Sequence, residues 1–376
     1  MSHRPIRRSL LSIVGLLLIN IVVSACLLEI ALRVQQKLGP LYNLDLHFAD
    51  LMPALSEKLN HAPEAGTLWD RNGIRILDRP NREPCFKRVL FLGDSFMEGV
   101  RPTREGAYLP TGSTDTVPVQ VRHFYRELTG RNLCVFNAGF GSYAPSIYVP
   151  QAKTLIPSLR PDLVVIDVDE TDIWDDFYRY RKLTVRDDNG SIIAVRPSPT
   201  AIPFFKGLVE STDHLFYIHR LIAKLYFTRV EFPRLQAKLN RGGSVDNLSL
   251  AKPSEAELRR DHAAEIAYFK TTLEDLTNTV VSLMGEPNAL IYIHHPHLEH
   301  LEAIGGVFNN VVAETLRQVA DSRNVRFYDA TNDLKATFGN DPAKYYFPND
   351  MHFNPVGTSM YGKAVAKFLA SEPTRH

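Results

Sequence analysis

The sequence predicts an α/β domain with three layers, in which a parallel five-stranded sheet is covered by helices on both faces. Five short apolar runs recur along the chain, and such runs are typical of strands that are buried on both faces. Longer helical patterns separate these runs, as the crossovers between parallel strands require. A third observation, an apolar segment at the N-terminus, predicts a membrane helix outside this domain.

The five predicted strands lie in the middle and C-terminal parts of the chain: Arg88–Leu92, Asn132–Gly139, Pro161–Val168, Asn288–His295 and Asn324–Ala330. Helices are predicted between them over 116–130, 145–159, 254–285 and 308–323. A last helix is predicted after Asn354, because asparagine is a preferred N-cap and Pro355 suits the first helical position. We expect Arg88–Leu92 to be the central strand.

The N-terminal segment indicates a membrane anchor. No residue from Leu10 to Leu28 is charged, and as a helix this stretch spans about 28 Å, close to the apolar thickness of a bilayer. The apolar region of a removable signal peptide is shorter, roughly 7–15 residues, so a retained single-pass anchor is predicted. Arg4, Arg7 and Arg8 precede the stretch, which favours a cytoplasmic N-terminus and places the remaining chain outside the cytoplasmic membrane.

The cysteines leave one alternative open. Val23–Cys26 resembles a bacterial lipoprotein cleavage box, which would make Cys26 a lipidated N-terminus. The residues after Cys26 stay apolar, whereas a lipoprotein usually continues into a polar tether, so the retained anchor is favoured. Cys85 and Cys134 lie at the entries of two neighbouring predicted strands at different heights, and we expect them to be free, buried thiols.

These patterns divide the chain into three parts: 1–33 as cytoplasmic tip and anchor, 34–85 as a juxtamembrane segment, and 86–372 as the α/β domain. An insertion over about 174–253 contains a predicted hairpin that turns at Asn189-Gly190. It also contains a basic amphipathic segment, over 213–235, which is predicted to pack as a cap helix, to line the cleft or to lie on the membrane surface. A turn is also predicted at Asn72-Gly73.

Composition excludes one broad class of function. The chain has 43 basic and 42 acidic residues and a net charge of +1, whereas nucleic-acid-binding proteins normally carry a clear basic excess. We therefore expect no nucleic-acid partner. The motifs imply no cofactor.

A nucleophile and its base are predicted at opposite ends of the domain. The first strand runs into Gly93-Asp94-Ser95, and the last helix is preceded by Asp350-Met351-His352. A serine hydroxyl is a weak nucleophile that needs a base such as histidine, and a carboxylate orients that histidine. Ligand sites of parallel sheets lie at the carboxyl ends of the strands, where both motifs stand. The predicted catalytic set is Ser95, His352 and Asp350.

These two blocks, "FLGDSF" and "NDMHFNPVG", resemble the SGNH (GDSL-type) hydrolase superfamily, in particular its membrane-anchored extracytoplasmic branches. The resemblance extends from about Arg88 to the C-terminus. It implies a flavodoxin-like SGNH fold and an oxyanion hole made of the nucleophile's amide, an amide after the second strand and an asparagine after the third strand. Here Gly141 or Ser142 is favoured for the second donor. Thr171 occupies the asparagine position and is the expected third donor.

Other polar residues at the strand ends have structural interpretations. Asp94 is expected to cap the turn at Ser95, Asp172 to connect loops, and Asp175 and Asp176 to form a solvated face. The histidines after the fourth strand show no familiar zinc spacing, and no cysteine or spaced carboxylate completes a site, so no metal is predicted. His295 and His297 are instead candidates for contact with substrate.

The sequence therefore predicts a membrane-anchored serine esterase that acts on an acylated carbohydrate or another small ester through an acyl-enzyme on Ser95. One alternative is an O-acyltransferase that passes the acyl group to a cell-surface polysaccharide, which the resemblance suggests, together with partners in cell-envelope polysaccharide modification. Another alternative is an inactive binding module with the same fold, which Thr171 and the insertion motivate.

Overall fold

The computed structural model describes residues 5–38, 70, 73–76, 84–102, 108–195, 217–218, 221–222, 255–301, 307–348 and 350–371. The chain divides into two units: one combines 1–51 with 199–251, and the other combines 52–198 with 252–376. The second unit contains the predicted α/β domain.

A five-stranded parallel sheet lies in the second unit, as predicted. Its strands are β1 (Lys87–Leu92), β2 (Leu133–Asn137), β3 (Leu163–Asp167), β4 (Leu290–His294) and β5 (Arg326–Asp329). All neighbouring pairs are parallel, and the strand order is β2-β1-β3-β4-β5. β3 is therefore the central strand. The expectation for β1 was wrong because every strand of this sheet is strongly apolar, so apolarity alone does not rank their positions.

Alternate side chains of β1 point to opposite faces of the sheet, and helices cover both faces. Leu90 and Leu92 belong to one apolar core and Val89 and Phe91 to the other, and all four are fully buried. Full burial of one such side chain stabilises the fold by roughly 1.5–3 kcal/mol. The two cores together make the predicted three-layer α/β architecture.

Three helices cover each of these two cores. The core on the Leu90 side is covered by α4 (Pro145–Leu159), α7 (Ala263–Met284) and α9 (Val307–Ser322), and the core on the Val89 side by α3 (Val117–Thr129), α10 (Thr331–Phe338) and α11 (Pro355–Ala370). The shorter described helices are α2 (Ser95–Glu98), α5 (Thr171–Trp174), α6 (Glu255–Asp261) and α8 (Leu298–Leu301). The predicted cap of α11 is confirmed, since the Asn354 side chain accepts hydrogen bonds from the amides of Val356 and Gly357.

The register of the sheet places the functional candidates at one edge. Leu92 pairs with Ile166, and Asp167 pairs with Ile293. The residues that follow β1, β3 and β4 consequently leave the sheet side by side, which is where open parallel sheets bind their ligands.

Cys85 and Cys134 form a disulfide, with their Cα atoms 5.3 Å apart. The prediction of two free thiols was wrong. The strand register pairs Cys134 with Arg88, so a straight chain before β1 would place Cys85 at another height. The chain bends at Phe86 just before β1, however, and this bend brings Cys85 beside the neighbouring strand.

The insertion contains the predicted hairpin. Strands Thr184–Arg186 and Ile192–Val195 pair antiparallel, and Gly190 adopts the left-handed conformation (φ 82°) that a tight turn requires. A π-helical turn, Asp175–Tyr180, precedes the hairpin. Most of the basic amphipathic segment lies outside the described residues. Of the turn predicted at Asn72-Gly73, only Gly73 lies among the described residues, and its amide donates a hydrogen bond to the Asp70 carbonyl.

The first unit contains α1 (Pro5–Leu38). Its stretch Gly15–Val34 has a mean hydropathy of 2.4 and is almost wholly exposed. The helix therefore has the length and apolarity of a membrane span, properties that a signal sequence shares. The Glu29 carboxylate lies 2.8 Å from Nε of Arg33 and accepts hydrogen bonds from the amides of Tyr217 and Ile218.

Candidate active site

The turn after β1 presents Ser95 at the edge of the sheet. Gly93 leaves β1, and Asp94 caps α2 by accepting a hydrogen bond from the Phe96 amide at 2.9 Å. Ser95 is the first residue of α2, so its amide has no partner within the helix and its side chain stands at the turn. The predicted capping role of Asp94 is confirmed.

A tight loop before α11 presents His352. The Phe347 amide donates to the His352 carbonyl at 3.0 Å, and the Asn354 amide donates to the Tyr345 carbonyl at 3.0 Å. A side chain at Gly357 would clash with the backbone at Tyr345, because its Cβ would lie 2.0 Å from the carbonyl oxygen. The glycine and the asparagine cap together hold the loop against the start of α11.

The structure brings Ser95, His352 and Asp350 into one hydrogen-bonded row. His352 Nε2 lies 2.7 Å from Ser95 Oγ, and His352 Nδ1 lies 2.6 Å from Asp350 Oδ1. The same carboxylate oxygen accepts the His352 amide at 2.8 Å. A carboxylate beside Nδ1 keeps the proton on that nitrogen, so the lone pair of Nε2 faces the serine hydroxyl. This is the geometry that activates a serine.

Asp94 also contacts the serine. Its Oδ2 lies 3.1 Å from Ser95 Oγ. Burial, together with the nearby Asp169 carboxylate, raises the pKa of Asp94 well above its ordinary value. The Ser95 hydroxyl can therefore donate either to Asp94 Oδ2 or to His352 Nε2.

A buried carboxylate that the sequence analysis did not single out lies beside Ser95. Glu98 Oε2 accepts the Gly141 amide at 2.7 Å. A Cβ added to Gly141 would lie 3.8 Å from Ser95 Cβ, so this loop borders Ser95. Burial raises the pKa of Glu98 to about 7, although the Gly141 amide and Arg75 act in the opposite direction. The Gly141 amide is thus engaged by Glu98 in this structure.

The other expected oxyanion donors differ in their availability. Within the described residues, the amides of Ser95 and Ser142 donate to no protein acceptor. Ser142 adopts a left-handed conformation (φ 61°), and its carbonyl accepts the Tyr180 hydroxyl at 2.7 Å. The Thr171 hydroxyl, by contrast, donates to Asp169 Oδ1 at 2.6 Å. The Thr171 proton is therefore directed at a carboxylate.

His295 and His297 are buried and face carboxylates from the end of β3. His295 Nδ1 lies 3.1 Å from Asp167 Oδ1, and His297 Nε2 lies 2.8 Å from Asp169 Oδ2. Although burial alone would lower it, the carboxylates of Asp169 and Glu170 raise the pKa of His297 well above its ordinary value. Their rings contact Phe96, with centroids 4.0 Å and 5.5 Å away, and Phe96 also lies 4.9 Å from the His352 ring.

The sequence reasoning about metals was therefore wrong on one point. No suitably spaced carboxylate follows the histidines along the chain, but β3 lies beside β4 and supplies Asp169 and Glu170. Glu170 lies 3.2 Å from His297 Nδ1 and 3.1 Å from His300 Nε2. Spacing along one segment does not reveal carboxylates that the end of a neighbouring strand brings close.

The remaining aspartates lie in different environments. Asp172 closes its own loop, because its carboxylate accepts the Asp169 amide at 2.8 Å, and it also accepts the Tyr148 hydroxyl of α4 at 3.4 Å. Asp175 pairs with Arg179 at 3.3 Å. Asp176 does not belong to a solvated face: it is fully buried and accepts the Ser146 amide at 2.9 Å. Neighbouring positions on a helical turn point in different directions, and Asp176 points into the domain.

The sequence patterns did not identify two functional candidates, Glu98 and Asp169. Glu98 lies one helical turn after Ser95, in a block that is otherwise apolar or glycine, and an acid in such a block signals burial beside the nucleophile. Asp169 stands directly at a strand end. Neither signal shows which group the carboxylate contacts.

No protein-family profile matches the chain, and no curated protein matches it. Solved structures do show similarity. Axe2, an acetylxylan esterase from Geobacillus stearothermophilus, is 14% identical with a TM-score of 0.43, over 77% of this chain and 98% of that chain. LAE5, an α/β hydrolase enzyme from the metagenome of Lake Arreo, Spain, is 12% identical with a TM-score of 0.44, over 77% and 99%.

A lipase/acylhydrolase from Enterococcus faecalis is 13% identical with a TM-score of 0.39, over 77% of this chain and 100% of that chain. The strand order β2-β1-β3-β4-β5 is the flavodoxin-like order. With the Gly-Asp-Ser turn after β1 and the Asp350–His352 loop before α11, this order gives the chain the fold of the SGNH hydrolases that its motifs resemble.

Proposed function

We propose that this protein is a serine esterase that cleaves O-acyl esters, with Ser95 as nucleophile. One observation carries the proposal: Ser95 Oγ, the His352 ring and the Asp350 carboxylate form a continuous row with distances of 2.7 Å and 2.6 Å. A serine that serves only as a turn residue has no need of an oriented histidine and carboxylate.

The hydrogen-bonded arrangement of Ser95, His352 and Asp350 specifies where each proton moves. Ser95 Oγ attacks the ester carbonyl carbon while His352 Nε2 takes the hydroxyl proton. Asp350 stabilises the imidazolium that forms. The C–O bond to the leaving alcohol then breaks, and His352 returns the proton to that alcohol. Water attacks the acyl-enzyme by the same relay in reverse order, which releases the acid and restores Ser95.

Two backbone amides are proposed to hold the oxyanion. Those of Ser95 and Ser142 donate to no protein acceptor among the described residues, and amide donors aimed at the developing charge supply much of the catalysis of acyl transfer. The Gly141 amide joins them only if its bond to Glu98 breaks. Thr171 is proposed to position Asp169 rather than to contact the oxyanion.

We propose that the domain acts outside the cytoplasm, anchored by α1 in the cytoplasmic membrane. The arginines that precede the apolar stretch favour a cytoplasmic N-terminus. The disulfide between Cys85 and Cys134 supports the same placement, because disulfides persist in oxidising compartments and are rare in the cytosol.

The test is covalent labelling of the full-length protein in detergent with a fluorophosphonate probe, followed by hydrolysis of short-chain aryl acetates. We expect labelling at Ser95 and loss of both signals in Ser95→Ala. Ser158→Ala is the matched control. Ser158 lies near the end of α4, and its hydroxyl donates to the Leu155 carbonyl of the same helix.

Equal labelling and equal hydrolysis by the wild-type and Ser95→Ala proteins would refute the esterase and leave a binding module. If Ser95 is labelled but aryl acetates are not hydrolysed, addition of acetylated and free oligosaccharides tests carbohydrate esters and transfer to a sugar hydroxyl. In each case the acylated serine is the common species to be detected by mass spectrometry.

A further inference from the structure

Three buried side chains at the carboxyl ends of β3 and β4 converge on one point beneath the active site. Asp169, His295 and His297 each offer one ligand atom, and these three atoms lie within 4.8 Å of one another. The three residues are between 1% and 2% exposed. They are called the Asp169 group below.

The ligand atoms are spaced as a metal ion requires. Asp169 Oδ2 lies 2.8 Å from His297 Nε2 and 3.6 Å from His295 Nε2. Bonds of about 2.0–2.1 Å in a tetrahedral zinc site separate neighbouring ligand atoms by about 3.3 Å. The two distances lie on either side of this value.

Each member of the Asp169 group is oriented by an outer polar partner. Asp167 faces Nδ1 of His295 at 3.1 Å, and Glu170 faces Nδ1 of His297 at 3.2 Å. The amide and hydroxyl of Thr171 both donate to Asp169 Oδ1, which leaves Oδ2 toward the histidines. Carboxylates on the distal nitrogens of ligating histidines, which fix the tautomer and the ring orientation, are characteristic of metal sites.

One ring nitrogen in the group has no hydrogen bond. Within the part of the chain that the structure describes, His295 Nε2 is buried and makes no hydrogen bond. A buried polar atom without a partner destabilises a fold. Because Nδ1 of this ring faces Asp167, the lone pair of Nε2 is directed into the centre of the group.

We propose that the Asp169 group binds a divalent transition-metal ion, with Zn²⁺ as the preferred occupant. Two imidazole nitrogens and one carboxylate oxygen suit zinc and similar ions, whereas Mg²⁺ and Ca²⁺ prefer sites made of oxygen atoms. Binding forms one bond to each ligand atom and releases to solvent the proton that His297 and Asp169 share, so no oxidant or reductant takes part.

The proposed role of the ion is to position the active site, because it links the loops after β3 and β4 beneath Phe96. The Phe96 ring contacts both histidines of the group and the ring of His352. Phe96 follows Ser95 directly in α2. An ion at this point fixes the two loops whose histidines contact Phe96, and through Phe96 it positions Ser95 and His352.

The experiment uses the full-length protein in detergent, with any histidine tag removed because such tags bind zinc. After treatment with a chelator and its removal, Zn²⁺ is added, and free metal is removed by gel filtration. Metal content is then measured by mass spectrometry. We expect about one zinc per chain, and a melting temperature that is higher with zinc than after chelation.

Variants separate the Asp169 group from other sites. His295→Gln and Asp169→Asn should each weaken zinc binding about tenfold or more, measured by competition with a chromogenic chelator. Glu299→Gln is the matched control, since Glu299 lies near His297 and Glu170 but outside the Asp169 group, and it should keep the wild-type affinity.

Wild-type protein that retains less than about one-fifth of a zinc per chain would overturn the proposal, as would unchanged zinc affinity in both ligand variants. Binding of Co²⁺ by the wild-type protein is an independent measurement that does not depend on folded variants. Absorption typical of tetrahedral Co²⁺ with nitrogen and oxygen ligands supports the site, and the octahedral spectrum of hydrated Co²⁺ contradicts it.

Discussion

Replacement of Glu98 by glutamine should remove a pH-dependent loss of stability. Glu98 is 6% exposed, and burial raises its pKa from 4.5 to about 7. The folded protein therefore keeps a proton on Glu98 at pH values where the unfolded chain has released it. Under these conditions stability falls as pH rises, and the fall ends above the folded pKa. Glutamine cannot ionise, and its side-chain oxygen still accepts the Gly141 amide.

The magnitude follows from the two pKa values. Between about pH 5 and about pH 9, the shift from 4.5 to about 7 corresponds to a loss of about 2.5 kcal/mol in the free energy of unfolding. Other buried carboxylates add their own pH dependence, but they do so in both proteins. The predicted quantity is therefore the difference between wild type and Glu98→Gln.

Denaturant unfolding across this pH range, with circular dichroism as the readout, measures that difference. We expect Glu98→Gln to gain about 2.5 kcal/mol relative to wild type from the acidic to the alkaline end. Glu127→Gln, at a side chain that is 57% exposed, is the control for loss of a surface charge. Parallel pH profiles for wild type and Glu98→Gln would refute the assignment of Glu98 as a buried acid with a raised pKa.

Three further predictions concern the site and its supports. Asp350→Asn should lower kcat for aryl acetates about 10⁴-fold, because the amide no longer keeps the proton on Nδ1 of His352; an activity within tenfold of wild type in steady-state assays would contradict this role. Asn354→Ala should lower the free energy of unfolding by about 1 kcal/mol through loss of the α11 cap, and denaturant titration measures it. Cys134→Ser should lower the free energy of unfolding by up to about 4 kcal/mol, because the disulfide to Cys85 closes a loop with a sequence separation of 49; reductant should reproduce this change in the wild-type protein and have no effect on the variant.

The strands were predictable because each carries its own signal. A buried parallel strand is apolar at nearly every position, as in Leu163–Asp167, where all five residues are buried. The order of the strands was harder to predict, because strands that are buried on both faces have similar apolar sequences. The same limit applies to helices: the break between α6 and α7 at His262 interrupts a pattern that the sequence presents as one long helix.

The nucleophile and base could be proposed from sequence because each stands in a short, distinctive block at a strand or helix end. The Asp169 group could not be proposed from the sequence. Its histidines and its carboxylate come from strands whose neighbour relation is set by sheet topology. The pairing of Cys85 with Cys134 was missed for a related reason. The bend of the chain at Phe86 brings the two residues together, and the sequence pattern of the strands does not show this bend.

By itself, the sequence determined the α/β class and the apolar N-terminal helix, and it identified Ser95, Asp350 and His352 as candidate catalytic residues, since these follow from local patterns of apolarity and residue type. Only the tertiary structure decided which polar groups satisfy one another. Glu98 engages the Gly141 amide, and Asp169 engages Thr171 and two histidines, because buried donors and acceptors must find partners across the fold. Such partnerships depend on distances between residues far apart in the chain, and no local pattern encodes them.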